Sequence, residues 1–398
     1  MRKIRTNAIV GQSGGPTGTI NASLAGLLLG LVGNVDKLYG MKNGISGFLK
    51  NNIVELNYLL KDSAKLSLLK DTPGAFLGSC RTRLPDDLDS VVYKEIFDRL
   101  ESYNIGYFFY IGGNDSMDTV AKLSAYAKKN SIDVSIIGIP KTVDNDLVLT
   151  DHTPGYGSCA KYVATSVCEL WQDVSSYDLP SVTIVEVMGR DTGWIGCACA
   201  LPMHHFGYGC SLIYLPESDF SKEHFLCDVE RELSRGKPML IGICEGINTN
   251  DSENGVDAFG HSALAGVGRM LEKSIKDNFK CKTRTVELNL PQRCASHICS
   301  LTDLLESEAI GKAAAELAIS GKSGKMPAFV RKSGEYGVDI VDVDAYLVAN
   351  KIKRVPKEFI NVSGNFVTDK CIEYLAPLIL GERIIQLDGG LPRHLKLR

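Results

Sequence analysis

Short runs of apolar residues, many of them β-branched or aromatic, recur along the chain. Each leads into a turn rich in Gly, Asp and Asn, and several of these turns are followed by an amphipathic stretch. Asn7 to Val10 leads into Gly11-Gln-Ser-Gly-Gly-Pro-Thr-Gly18, after which Asn21 to Leu31 carries a helical pattern. Tyr107 to Ile111 leads into Gly112-Gly-Asn-Asp-Ser116 and a helix through Lys129, and Val134 to Ile139 into Pro140-Lys-Thr-Val-Asp-Asn-Asp146. Val182 to Val187 ends in Met188-Gly-Arg-Asp-Thr-Gly193, and Met239 to Ile243 in Cys244-Glu-Gly246. Continuous apolar strands, rather than alternating ones, are what a parallel sheet covered on both faces by helices requires. The pattern predicts an α/β protein with more than one such sheet. From about Gly334 it breaks into short apolar and charged pieces that predict no element.

In open α/β sheets, ligands bind beyond the carboxyl ends of the strands. Turn chemistry alone recruits Gly, Asn and Asp to any one such loop. Five loops at equivalent positions, two carrying Lys141 and Arg190, predict one convergent polar site. The 398 residues suffice for two or three domains. With 44 basic and 47 acidic side chains there is no basic excess, which argues against electrostatic nucleic-acid binding. Leu27 to Val32, the longest apolar stretch, falls far short of the roughly 20 residues that span a bilayer. Met-Arg-Lys-Ile-Arg-Thr opens the chain without a signal-peptide core, so the expectation is a cytoplasmic protein with no membrane or nucleic-acid partner. Twelve cysteines without a CxxC pair read as buried thiols rather than a zinc site, a redox motif or a disulfide scaffold. Of seven histidines only His204 and His205 adjoin, a poor spacing for a shared metal.

The loops carry chemistry of one kind. Gly14, Gly15 and Gly18 before a helix would let backbone N–H groups approach an anion, at a spacing that fits neither GxGxxG nor a P-loop; a plain tight turn would read the same. Gly113, Asn114, Asp115 and Ser116 form a second such loop, in which helix capping would account for one polar residue but not for the two glycines Gly112 and Gly113. In Lys141 to Asp146, strand-like alternation would point Asp144 and Asp146 together. One carboxylate could then accept a proton from a hydroxyl while the other orients it, with Mg²⁺ nearby and Lys141 opposing phosphate charge. An Asx-turn with a solvated lysine is the plainer alternative. Arg81 and Arg190 are candidate phosphate clamps. Together the parts point to phosphoryl transfer, a chemistry of positioning and charge stabilisation.

At these residues the chain resembles the phosphofructokinase family up to roughly residue 330. Gly14 to Asn21, Gly112 to Ser116, Pro140 to Asp146, Met188-Gly189-Arg190 and Gln292-Arg293 match five of its motifs in order. The resemblance implies two doubly wound, Rossmann-like parallel-sheet domains with the active site in the cleft between them. Residues 1–150 plus about 300–350 would hold the phosphoryl donor, and 151–299 plus the C-terminal segment fructose 6-phosphate. Asp144 would be the base for the sugar 1-hydroxyl, supported by Asp146, with Lys141 and Thr142 at the transferred group. Met188, Gly189, Arg190, Glu245 and Arg293 would hold the sugar phosphate. Gly14, Gly15, Arg81, Gly113, Asn114, Asp115 and Ser116 would hold the donor, and Asp115, Asn114 and Asp144 the Mg²⁺. A homodimer or homotetramer is implied, since the family's sugar site often borrows a neighbour's arginine.

Asp115 and Lys141 stand where the ATP-using branch typically has glycines, and resemble the pyrophosphate-using branch. A carboxylate there would crowd and repel a nucleotide α-phosphate, while Lys141 would match a compact inorganic donor. The implied reaction is reversible, Mg²⁺-dependent transfer from pyrophosphate to fructose 6-phosphate, giving fructose 1,6-bisphosphate and phosphate in glycolysis or gluconeogenesis. An ATP-dependent enzyme and a catalytically silent sugar-phosphate sensor are the alternatives. The sensor is motivated by three departures: Asn114 for an aspartate, Ser181 for an arginine, and Cys-Ala-Ser-His after Arg293, in which His297 is a candidate replacement cation.

Overall fold

A computed structural model describes residues 6–249, 255–256, 262–263 and 266–397. Eleven strands matter for the site. They are β1 (Thr6–Gln12), β2 (Val35–Met41), β3 (Ile53–Glu55), β4 (Ile105–Gly112), β5 (Ser135–Pro140), β6 (Ser181–Val187), β7 (Cys210–Tyr214), β8 (Met239–Cys244), β9 (Lys282–Glu287), β10 (Lys325–Arg331) and β11 (Val338–Asp344). They form a seven-stranded sheet, ordered β11-β10-β5-β4-β1-β2-β3, and a four-stranded sheet, ordered β9-β6-β8-β7. Every pairing in the smaller sheet is parallel, as is every one from β10 across to β2 in the larger. Only the edge strands β3 and β11 run antiparallel to their neighbours.

The burial follows from this pairing. β8 is buried at every position, and β4 at all but Gly106, because helices cover both faces. β11, Val-Asp-Ile-Val-Asp-Val-Asp, alternates half-buried and exposed positions over its first four residues, as an edge strand with one face partly in solvent does. The larger sheet has a core on each face, one around Leu24, Phe109 and Ile137, the other around Phe48, Phe108 and Met117. The helix Leu301–Ile319 returns to the first of these cores through Ile310, Ala314 and Ala318.

The segment after Gly334, unreadable in the sequence, adds to the larger sheet and to the core of the smaller. β11 borders the larger one, while Val355, Val367, Ile372 and Leu375 join the core of the smaller. Arg383 then ties back to Asp71 at 2.8 Å.

Candidate active site

The carboxyl ends of both sheets open into one cleft of about 620 Å³. The turns after β1, β4 and β5 line it from one side, and those after β6, β8 and β9 from the other. Gly14, Gly15, Arg81, Gly113, Asn114, Asp115, Ser116, Lys141, Thr142, Asp144, Asp146, Met188, Arg190, Glu245 and Arg293 all line it. Gly189 does not. At its φ of +136° it shapes the turn instead, where a Cβ would lie 2.7 Å from the Thr192 carbonyl oxygen.

Two glycines of the first turn serve the cleft. Gly14 has φ +73°, and a Cβ there would lie 3.4 Å from Lys141 Nζ. A Cβ on Gly15 would lie 2.8 Å from Arg293 Nη1, so the turn is a floor beneath two cations. Gly18 corrects the expectation: it is buried against Cys299, so its smallness serves packing. The turn is fixed by side chains that the sequence pattern did not single out. Gln12 accepts from Leu77 N–H (2.9 Å) and donates to Asn21 (2.9 Å), and Asn21 donates to the Thr72 and Gly74 carbonyls (2.7 Å each). Those bonds pin the loop that brings Cys80, Arg81 and Arg83 to the cleft.

The second turn opens the helix Asn114–Lys129. Its N-cap is Gly113, without a side-chain cap, so the capping alternative does not account for Asp115 or Ser116. Uncapped N–H groups at a helix start carry partial positive charge. Ser116 instead hydrogen-bonds Ser13 of the first turn, on the same side of the cleft, and a Cβ on Gly112 would collide with it at 1.9 Å. Asp115 pairs with Arg83 at 3.1 Å, with side chains 55% and 72% exposed. Its charge at the mouth is thus partly balanced. Against a larger donor its bulk counts for more than its repulsion.

Asp144 and Asp146 do converge, but through a turn rather than strand alternation: Asn145 between them is left-handed at φ +52°. Thr142 Oγ1 accepts from Asp144 N–H (3.1 Å) and lies 3.3 Å from its carboxylate, and Thr192 donates to the Asp144 carbonyl (3.2 Å). Burial raises the Asp144 pKa, countered by Lys141. Burial first and Asp144 second push Asp146 up to about 7. Lys141 is only 3% exposed and donates to the Gly15 carbonyl at 2.5 Å. Burial pulls its ammonium down to about 8, against the upward pull of Asp144 and Asp146. A solvated lysine on an Asx-turn is therefore not what stands here.

On the other side, Gln292 accepts from Met188 N–H at 3.2 Å and so links the Met188-Gly189-Arg190 turn to Arg293. Burial raises the Glu245 pKa, opposed by Arg190. His297 is exposed and lies outside the cleft lining, so it is no replacement cation within this chain. Ser181 begins β6, at the end away from the turn that reaches the cleft. Asp191, Thr192, Ser13 and Tyr110 also line the site.

A glycine turn beneath Lys141 and Arg293, with a buried carboxylate pair beside them, holds the groups that phosphoryl transfer uses. Comparison with known proteins agrees. The phosphofructokinase family model matches residues 7–318, and the chain belongs to that family. It is a phosphotransferase. It is 37% identical over 403 residues to the pyrophosphate–fructose 6-phosphate 1-phosphotransferase of Halomonas elongata, covering 98% of this chain and 96% of that one. The enzyme of the same name from Methylococcus capsulatus is 38% identical over 404 residues, with the same coverages. The crystal structure of the pyrophosphate-dependent phosphofructokinase from Nitrosospira multiformis superposes with a TM-score of 0.90 at 34% identity, covering 99% of this chain and 97% of that one.

Proposed function

We propose that the protein transfers a phosphoryl group reversibly from pyrophosphate to the 1-hydroxyl of fructose 6-phosphate, giving fructose 1,6-bisphosphate and phosphate. The observation that carries the choice of donor is Lys141 buried over the Gly14–Gly15 turn, with the Asp115 carboxylate lining the same cleft. Lys141, Arg81 and the open N-terminus of the helix Asn114–Lys129 would bind the compact anion. Met188, Gly189, Arg190, Glu245 and Arg293 would hold the sugar phosphate, Gly189 by shaping the turn. The donor side thus belongs to residues 1–150 with about 300–350, and the sugar side to 151–299 with the C-terminal segment.

Asp144 would take the proton of the 1-hydroxyl while Asp146 and Thr142 orient it. The hydroxyl oxygen bonds to the nearer phosphorus of pyrophosphate. The bond from that phosphorus to the bridging oxygen breaks, and its electron pair leaves with inorganic phosphate. With no adenosine to bind or release, the reverse reaction should run readily.

Mg²⁺ fits the donor set. No cluster of three or more His, Cys, Asp or Glu that could cage a metal occurs among the described residues, and Mg²⁺ in phosphoryl-transfer sites rests on one or two carboxylates plus substrate phosphates. Asp144, Asp115 and Asn114 would hold it, and it would neutralise charge on the phosphates. No helix among the described residues is long and apolar enough to cross a membrane. The working setting we propose is the cytoplasm, as a homodimer or homotetramer.

The test is an initial-rate assay with fructose 6-phosphate and Mg²⁺, run in parallel with pyrophosphate and with ATP. Turnover on pyrophosphate alone is expected. Turnover on ATP alone would overturn the donor argument built on Lys141 and Asp115, and silence with both would favour the sugar-phosphate sensor.

A further inference from the structure

The C-terminal segment reaches the reacting turn from behind. Lys353 N–H donates to the Asp146 carbonyl at 2.7 Å. Its ammonium donates to Asn145 Oδ1 (3.2 Å) and to the carbonyls of Thr150 (3.1 Å) and Asp151 (2.8 Å). Its own carbonyl accepts from the Trp194 indole at 2.8 Å, and Nζ lies 5.2 Å from the centroid of that ring. The residue as a whole is half-buried, but its ammonium is enclosed by these acceptors. Arg354, next in the chain, donates to the carbonyl of Asp191, another residue of the cleft lining, at 3.0 Å.

The turn needs such support for two reasons. Asn145 is left-handed, and its side chain is held on three sides: by Lys353, by Thr153 N–H (3.1 Å) and by the Tyr374 hydroxyl (2.9 Å). The carboxylates flanking it are also costly to bury, and Asp146 Oδ1 has no hydrogen-bond partner among the described residues. Lys141 offers them positive charge from the cleft. Lys353 stands on the other side, beside Asp146, where burial pulls its ammonium down to about 7 against the upward pull of Asp151 and Asp146, and Arg331 lowers it further.

We propose that Lys353 is a positioning residue for the reaction, fixing Asn145 and the turn that carries Asp144 and Asp146 from outside the cleft lining. This rests on the reading of Asp144 as the base. A lysine that only held the fold together would stabilise the protein without setting the rate. One that sets the aim and charge of the base acts on kcat, because small misplacements of a reacting group are expensive in rate while leaving ground-state binding intact.

The experiment measures kcat, both KM values and the thermal midpoint for Lys353→Met, Lys353→Arg and Tyr374→Phe, with pyrophosphate and fructose 6-phosphate as substrates. Lys353→Met should lower kcat roughly 10- to 100-fold, with both KM values within about threefold of wild type. Lys353→Arg, which keeps the charge, should recover much of the loss. Tyr374→Phe loosens the same asparagine without removing charge, and should cost less. The inference falls if Lys353→Met turns over within about threefold of wild type, or if Tyr374→Phe lowers kcat as much as it does. Should Lys353→Met not fold, Trp194→Phe removes the indole bond to the Lys353 carbonyl, and an unchanged kcat there is equally fatal. Asp144→Asn, measured alongside, separates the two readings. Wild-type turnover in that variant defeats the base assignment. An inactive Asp144→Asn beside a normal Lys353→Met defeats only the role of Lys353.

Discussion

Lys141 is a cation kept where cations are least comfortable. Burial holds its pKa down to about 8, even though Asp144 and Asp146 pull it up. As the charge for an inorganic donor, it is lost in the free enzyme as pH rises through that value. We expect kcat/KM for pyrophosphate to fall above about pH 8, since that ratio reports the free enzyme's groups. Lys141→Arg should move the fall to higher pH even if its bulk lowers the plateau. A profile that stays flat to pH 10 in the wild type would remove Lys141 from donor binding. At Asp144, replacement by Asn should cut kcat by about two to four orders of magnitude, the usual worth of a general base, while equilibrium binding of fructose 6-phosphate changes little. Residues such as these were legible because their type and order repeat a known pattern. Asp191 and Thr192 directly follow Arg190, and Arg83 stands two residues from Arg81, yet none carries a role in the sequence pattern, because only the folded turn tells which of several neighbours faces the cleft. Gln12 and Asn21 were harder still. Their partners, Leu77, Thr72 and Gly74, lie more than fifty residues away, and nothing in a linear pattern announces that distance.

Among the elements, the helices Ile20–Gly30 and Leu301–Ile319 pack backbone against backbone. A Cβ on Gly26 would lie 2.0 Å from the Glu308 carbonyl oxygen, and one on Gly311 would lie 2.1 Å from that of Ser23. The two backbones touch through reciprocal glycines, and neither side has a flexible tip that could yield. Gly311→Ala should therefore destabilise by about 1–3 kcal/mol or more as an overpacked contact, despite the better helix propensity of alanine. Urea denaturation would check it, and a gain in stability would mean that the helices can part without loss. This contact also explains how residues beyond 300 rejoin the first sheet, a crossing that only the family resemblance made visible in the sequence. The strands that entered that reading were those buried on both faces, where apolar runs are continuous. β2, β7 and β10 carry polar or proline positions within them, and the edge strand β11 mixes three aspartates among its apolar residues. The tail beyond consists of short helices and strand pieces joined by irregular backbone, with hydrogen bonds that run to other segments: Ile213 N–H donates to the Asn365 carbonyl at 2.8 Å, and Asn365 donates to Asp228 at 2.8 Å. Periodicity cannot show bonds of that kind.

Across the whole molecule, one buried network joins the site to three distant parts of the chain. His152, 2% exposed, is bonded through one ring nitrogen to Asp151 (2.9 Å) and through the other to Glu306 (2.8 Å) on the helix Leu301–Ile319. Arg331, the last residue of β10, pairs with Asp151 at 3.0 Å and donates to the Tyr374 carbonyl, and Tyr336 donates to Glu306. Burial alone lowers the His152 pKa, but Asp151 and Glu306 outweigh it and the net shift is upward. The Asp151 pKa is shifted down, because His152 and Arg331 outweigh its burial. A histidine that holds its proton more tightly folded than unfolded stabilises the fold in full below its unfolded pKa of about 6.5, and that contribution is lost as pH rises through the folded value. Asp151 works in the opposite sense, stabilising above its unfolded pKa of about 3.9 and losing effect as pH falls through its depressed folded value. The network should thus be strongest in mildly acidic solution. His152→Gln keeps polar atoms near both carboxylates but cannot carry the charge. We expect the gap in thermal midpoint between wild type and His152→Gln to be widest near pH 6 and to narrow steadily as pH is raised into the alkaline range. A gap that stays constant across that range would mean that His152 is neutral in the fold, and that the site is tied to the tail by hydrogen bonds without an ion pair at their centre.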